Sequence, residues 1–418
     1  MYTLALWSLS LLSSPLYFDP PTVVPYHANG IYELKETVGW NVSGQGGKYK
    51  YTVKLNNAVP ISNGEIDLAN GPVKIEAKPT EPAMLFMQLT PTEGGKPLDF
   101  GAAVSPTKIP PAKPKPKDFD AFWKSKIADL HKIPMNPTLT PGVSGREGID
   151  YGTIRMDHVN GTYVYGQYAR PNKPGKYPAI LQLQWASPPY PLDKSWIMGY
   201  ASMGFIALNI EPHNVLPTEP KSYYDALPAA LKNYGAINMD DRDKSYFVEM
   251  YLRDYRAVDY LASLPDWDGK TLVVIGTSMG GQQSLAVAGL HPKITHLIVN
   301  VPAGCDLNAG LHNRQNGYPF FPSNNPKVME TAQYVDCVNF ASNIKATSLV
   351  AMGFVDTVSP PTGIWAAYNL IRGPKEAAAM FDSPHNHLAT PEQQRPYTER
   401  SAAWLQALAK GEPAPVRK

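Results

Sequence analysis

Two periods of hydrophobicity divide the chain. From about residue 21 to residue 105, short runs of β-formers alternate with turn residues. Examples are KYKYTVKL (48–55), EIDL (65–68), VKIEA (73–77) and AMLFMQL (83–89), with SNG and ANG between them. That spacing predicts a small all-β sandwich over residues 21–105. PTKIPPAKPKPK (106–117) follows, where alternating Pro and Lys predict an extended, semi-rigid linker. Past the linker, residues 118–418 read as a second unit. DFDAFWKSKIADLHK (118–132) sets Phe119, Phe122, Trp123, Ile127 and Leu130 on one helical face, with Asp118 as N-cap.

TIRMDHV and TYVYGQYARP (153–171) then read as an antiparallel pair, after which strands and helices alternate. The strands are AILQLQW (179–185), GFIALNI (204–210), TLVVIG (271–276), THLIVNVP (295–302), TSLVAMG (347–353) and EAAAMF (376–381). Helices are expected over 193–203, 246–264, 280–290, 362–372 and 391–409. Strands apolar at every position require helices on both faces, so the order predicts a doubly wound, mostly parallel sheet. Ligands of such sheets bind at the carboxyl ends of the strands.

Composition adds little to that picture. A formal net charge of +2 gives no electrostatic case for nucleic acid or an anionic membrane. The two cysteines, Cys305 and Cys337, have no metal-ligand spacing; both a disulfide and two buried thiols suit them. MYTLALWSLSLLSSPLYF at the start reads as a signal peptide over residues 1–20 that lacks a basic front end, which implies a secreted or periplasmic protein; a cytoplasmic protein with an N-terminal strand is the alternative. No segment predicts a membrane span, and no pattern calls for a metal or cofactor.

The chemistry sits in TLVVIGTSMGGQQSLAVAGL. Gly276-Thr277-Ser278-Met279-Gly280 has the G-x-S-x-G form, with an apolar strand before it and a helix after it. A strained turn that lifts a serine hydroxyl above a sheet needs glycine on both sides. A hydroxyl needs a base to become nucleophilic, and the base needs an acid to orient it. In this setting the order is Ser, acid, His. Asp356 ends the strand AMGFVD, and His385 follows the last strand, with His387 as a second candidate base and Asp382 as a rival acid. The oxyanion would sit on the N–H of Met279 and that of Ala186 in LQWASPPY, with Trp185 the next choice for the second donor. Trp185, Tyr190, Trp196 and Trp365 lie near expected loop edges and are candidates to stack on sugar rings.

DFDAFWKSKIADL, YLRDYRAVDYLASLPDWDGKTLVVIGTSMGG and GFVDTVSPPTGIWAAYNLIRGPKE resemble the acetyl xylan esterase/cephalosporin C deacetylase family of α/β-hydrolases, from about residue 118 onward. PYHANGIYELKETVGWNV is similar to the β-sandwich that precedes this unit in some bacterial relatives. The resemblance implies deacetylation of small acetylated sugars or xylan fragments without a cofactor, and assigns nucleophile, acid and base to Ser278, Asp356 and His385. The chain departs from the family pattern at Met279 (Gln in the family), at ALNIEPHNVLP (an Arg-Gly-Gln motif there) and at Asn386 (Glu there). A broad carboxylesterase or prolyl-type peptidase is the second reading, although some 90 N-terminal residues are too few for a propeller. A noncatalytic carbohydrate-binding protein is the third.

Overall fold

The computed structural model describes residues 20–417, so the leader expected over 1–20 lies, but for Pro20, outside it. The strands of the N-terminal region are β1 (Thr22–Pro25), β2 (Ile31–Tyr32), β3 (Val38–Ser43), β4 (Lys48–Leu55), β5 (Val59–Asp67), β6 (Val73–Ala77), β7 (Ala83–Pro91) and β8 (Leu98–Val104). They form a three-stranded sheet, β1-β3-β6, against a five-stranded one, β2-β8-β7-β4-β5. Trp40, Val42, Val53, Ile75, Leu85 and Met87 fill the space between them. In β7 the alternation serves two cores at once. Leu85, Met87 and Leu89 face the sandwich interior, while Met84 packs into the larger core beyond. That is why AMLFMQL reads as an unbroken apolar run.

Residues 106–117 have no helix or strand beyond one 3-10 turn at Pro106–Lys108, bend at residues 112–113 and turn at Lys117, but they are not free. Asn369 donates to the carbonyls of Pro106 and Ile109, Arg314 to that of Pro110, and the Ala112 amide to Asp306. A polyproline-like segment makes no internal hydrogen bonds, so its carbonyls are open to such capture.

Then come α1 (Phe119–His131), β9 (Thr138–Gly142), β10 (Ile149–Asp157), β11 (Tyr163–Pro171), β12 (Tyr177–Leu183), α2 (Lys194–Met203), β13 (Ile206–Ile210), α3 (Lys221–Asp225), α4 (Tyr246–Ser263) and β14 (Trp267–Thr277). They are followed by α5 (Met279–Leu290), β15 (His296–Asn300), α6 (Pro326–Val335), α7 (Cys337–Ala341), β16 (Thr347–Gly353), α8 (Pro361–Leu370), β17 (Lys375–Met380) and α9 (Arg395–Ala409). The nine-stranded sheet runs β17-β16-β15-β14-β12-β13-β11-β10-β9. β12 through β17 pair in parallel; β11, β10 and β9 extend the sheet antiparallel.

Each parallel strand feeds two cores. Leu272 and Val274 of β14 join the core that holds α1, α4, α5, α7 and α8, whereas Val273 and Ile275 pack with Ile197 of α2 and Trp404 of α9. Each such side chain removed from water stabilises the fold by about 1.5–3 kcal/mol. Asp118 departs from expectation. It precedes α1 but makes no side-chain cap; its carboxylate accepts from Tyr334 Oη (2.6 Å) and Arg242 (3.0 Å), and the Tyr334 bond leads in lowering its pKa. Cys305 and Cys337 are both buried free thiols.

Candidate active site

β14 ends in a sharp turn. Ser278 holds φ +58° and ψ −121°, a conformation costly for a residue with a side chain, and α5 starts at the next residue. The close packing explains the glycines. A Cβ on Gly276 would lie 2.3 Å from the Gly280 backbone, and one on Gly280 would lie 2.3 Å from the Leu183 carbonyl oxygen. Ser278 is fixed through its main chain, its N–H donating to Asn300 O (3.0 Å) and its carbonyl accepting from the amides of Gln282 and Ala303, each at 3.0 Å.

Asp356 stands in the turn after β16, and His385 in the loop between β17 and α9. His385 Nε2 is 2.9 Å from Ser278 Oγ, and His385 Nδ1 is 2.7 Å from Asp356 Oδ2. The other carboxylate oxygen accepts from the amides of Val358 (2.8 Å) and Ser359 (2.7 Å). An acceptor of three hydrogen bonds requires Nδ1 to carry the imidazole proton, which leaves Nε2 as the lone-pair nitrogen facing the hydroxyl. All three side chains are buried. No hydrogen bond joins Asp382 to His385. His387 is exposed, its ring centroid 5.3 Å from that of His385, edge to face.

A model of the acetyl xylan esterase (AXE1) family matches residues 107–407. An acetyl esterase of Xylanibacter ruminicola is 32% identical over 402 residues, covering 93% of this chain and 90% of that protein. The chain belongs to the acetyl xylan esterase (AXE1) family. Its fold is also that of two solved acetyl xylan esterases. One, from a Thermoanaerobacterium species, has 21% identity and a TM-score of 0.62 over 72% of this chain and 97% of that one. The other, from a Paenibacillus species, has 24% identity and a TM-score of 0.59 over 70% and 96%. This AXE1-family member is an enzyme, a serine hydrolase of acyl esters.

Around the serine of this AXE1-family esterase, the remaining expected residues fall into three groups. Met279 heads α5, so its amide has no partner within the helix. Its side chain turns away into the core, where Sδ accepts from Tyr234 Oη at 2.7 Å. Ala186 is half-buried in the segment after β12, which Gly280 approaches closely at Leu183 and Gln184. Trp185 is 37% exposed, stacks on Tyr190 (5.5 Å, 14° between planes) and meets Trp196 at 5.1 Å.

Trp365 differs from expectation. α8 begins at Pro361, so Trp365 lies a full turn inside the helix and faces the core, 3% exposed and edge-on to Tyr368. It offers no face to a sugar.

The sequence reading missed a knot of buried amides. Gln184 is held at three atoms. Its side-chain nitrogen donates to Asn209, its side-chain oxygen accepts from Tyr190 Oη (2.8 Å), and its carbonyl accepts from Gln283 Nε2 (2.9 Å). Gln184, Asn209 and Gln283 are each 2% exposed or less. Two glutamines in succession, Gln282 and Gln283, on a helix whose other residues are apolar or small are the available signal.

The segment that replaces the family's Arg-Gly-Gln adds Glu211 and His213 at the end of β13. Burial pushes the Glu211 carboxyl well above the usual carboxylate range, and neither oxygen has a hydrogen-bond partner among the described residues. Burial takes His213 down to about 3, so its ring is neutral, with Nδ1 2.7 Å from Tyr246 Oη.

Proposed function

We propose that the enzyme removes acetyl groups from carbohydrate esters such as acetylated xylan fragments, through an acyl-enzyme formed on Ser278. The observation that carries this is the continuous hydrogen-bonded line from Asp356 through His385 to Ser278 Oγ. His385 Nε2 takes the hydroxyl proton as Oγ bonds to the acetyl carbon, and the carbonyl oxygen, now negative, sits on the N–H groups of Met279 and Ala186. The imidazolium is stabilised by Asp356 and gives the same proton to the departing sugar oxygen, which leaves acetyl-Ser278. Water then repeats the sequence. It loses a proton to His385, adds to the acyl carbon, and the returned proton frees the Ser278 hydroxyl and acetate.

Carbohydrate as the alcohol is supported by the Trp185–Tyr190–Trp196 cluster, which presents an exposed aromatic face beside the segment bearing Ala186. It is also supported by the match of residues 107–407 to the acetyl xylan esterase family. No helix among the described residues is long and apolar enough to cross a membrane. Export rests on the apolar residues 2–18 alone, and fractionation of the expressing cells tests it.

The deciding experiment is acetate release from acetylated xylo-oligosaccharides, compared with release from feruloylated and methyl-ester sugars and from peptide anilides. Acetylated sugars are expected to give the highest kcat/KM. Preference for peptide anilides would replace this reading with the peptidase one. A fluorophosphonate that labels the wild type but not Ser278→Ala identifies the nucleophile.

A further inference from the structure

The N-terminal sandwich reaches the acid of the site through one tight turn. Asn56 and Asn57, between β4 and β5, both hold φ +49°, a left-handed conformation in which Asn is among the few tolerated side-chain residues. The turn is locked to its own sheet, since Asn56 N–H donates to Met84 O (2.7 Å) and Asn56 Oδ1 accepts from the Met84 amide (3.1 Å). Its outer side is committed to the catalytic unit. Asn57 Nδ2 donates to Gln315 Oε1 (2.7 Å), the Gln315 amide donates to Asn56 O (3.0 Å), and Gln315 Nε2 donates to Thr357 O (2.9 Å). Thr362 Oγ1 donates to Asn56 Oδ1 (3.1 Å).

Thr357 and Thr362 bracket the turn that follows Asp356. Within it, the amides of Val358 and Ser359 hold one carboxylate oxygen while His385 takes the other. The same sheet also presses on the strand ends that lead to the acid and the base. A Cβ on Gly101 of β8 would lie 2.4 Å from Phe354 Cβ, and one on Gly30 would lie 3.0 Å from Phe381 Cβ. Phe354 precedes Asp356 by two residues, and Phe381 precedes His385 by four.

We infer that the Asn56–Asn57 turn is a positioning element of the reaction, one that sets the aim of the Asp356 carboxylate by holding its turn at Thr357 and Thr362. The sandwich thereby has a role in turnover as well as in stability. The inference rests on the triad reading given above. Asp356 acts only through the geometry of its bond to His385, and a hydrogen-bonded turn with two fixed points, Thr357 at the surface and Thr362 in the interior, narrows the freedom of that geometry. Loss of one fixed point leaves substrate contacts untouched, so the effect falls on kcat.

Three substitutions in the full-length protein test this, assayed with a small soluble acetate ester. Asn57→Gly deletes the amide and keeps the left-handed backbone accessible; Gln315→Leu removes the two side-chain bonds of Gln315, to Asn57 and to Thr357 O, and leaves its main-chain bond to Asn56 O; Thr362→Val removes only a hydroxyl. Each is expected to lower kcat, about 10-fold for Gln315→Leu and less for the others, with KM within twofold and the same fraction of folded protein. Asn57→Gly combined with Gln315→Leu is expected to be no worse than Gln315→Leu alone. Wild-type kcat in all three folded variants overturns the inference, as does a change confined to KM. Should Asn57→Gly or Gln315→Leu fail to fold, Thr362→Val decides, since it is nearly isosteric. Ser278→Ala is run beside them. If it retains activity, the reading of the site falls; if it is inactive while the three variants turn over normally, only the positioning role falls.

Discussion

The two flanks of Ser278 are held in place by different means. On the side proposed for the oxyanion, the segment after β12, which carries Gln184 and Tyr190, is tied to Gln283 of α5 and Asn209 of β13, all within the unit built on the nine-stranded sheet. On the acid side, the turn after Asp356 is tied to Asn56 and Asn57 by way of Gln315 and Thr362, so its support comes from a separate pair of sheets. Each bond of this buried knot is costly to break, because it would add an unpaired polar group in the core at about 1–3 kcal/mol, beside the Asn209 Nδ2 and Gln283 Oε1 atoms that already lack a partner among the described residues. A half-buried turn bridging two units has water as an alternative partner and is held less tightly. The oxyanion flank is thus fixed by the catalytic unit itself, while the acid flank depends on the sandwich remaining docked.

The comparison has meaning only if Ser278 and His385 are the reacting pair, so the largest effect is theirs. Ser278→Ala and His385→Ala should each lower kcat by about 10⁴–10⁶-fold, as removal of triad members does in other serine hydrolases. His387→Ala, by contrast, should stay within a few fold of wild type, because its side chain is exposed and makes no bond to Ser278. Steady-state kinetics on purified variants settles both, and a disabled His387→Ala would move the base to the wrong side of the loop.

Gln283→Met probes the rigid flank next. It keeps the volume and removes the donor that fixes the Gln184 carbonyl. A drop in kcat of about 10–100-fold is expected, short of the 10²–10³ lost when an oxyanion donor is deleted outright. The rate of fluorophosphonate labelling should fall in parallel, since the phosphonyl oxygen uses the same donors. Tyr190→Phe removes one of the three bonds to Gln184 and should cost only a few fold. If Gln283→Met lowers the melting temperature but leaves kcat intact, the knot is structural and the two flanks are alike.

Much of this was legible in the sequence for a specific reason. The parallel strands carry apolar residues on both faces because helices cover both, as at Leu272–Ile275, and Ser278, Asp356 and His385 follow the ends of three of those strands in the order Ser, acid, His. Local rules suffice for both. What the sequence hid depends on contacts between distant segments. Gln184 and Gln283 are 99 residues apart, and Asn57 and Gln315 are 258 apart. No period or motif reports such a meeting. Strand β9, exposed at every position, carries no alternation to detect. Helices α6 and α7 went unseen although Asn325 caps the first, with Pro326 at its opening position. Trp365 falls within the helix expected over 362–372; what the spacing does not report is that its side of the helix turns inward, against Tyr368 and the core.

The effect expected to be smallest on turnover bears on the proposed oxyanion flank through pH and stability. Glu211 follows β13, two residues past Asn209, and burial raises its folded pKa well above the unfolded value of about 4.5. The folded chain therefore keeps a proton that the unfolded chain releases, and the contribution of Glu211 to stability is fully present below about pH 4.5 and is lost as pH rises toward the folded pKa. Glu211→Gln is neutral in both states and has no such loss. The melting temperatures of the two proteins should therefore nearly coincide at pH 4. They should separate as the pH is raised to 8, the variant becoming the more stable by about 1.4 kcal/mol per pH unit at most. Other buried acids such as Asp254 and Asp336 are common to both proteins and cancel in the difference. A constant gap between pH 4 and 8 would mean that Glu211 ionises within the fold, and that the flank beside Asn209 accommodates a buried charge as well as a buried amide.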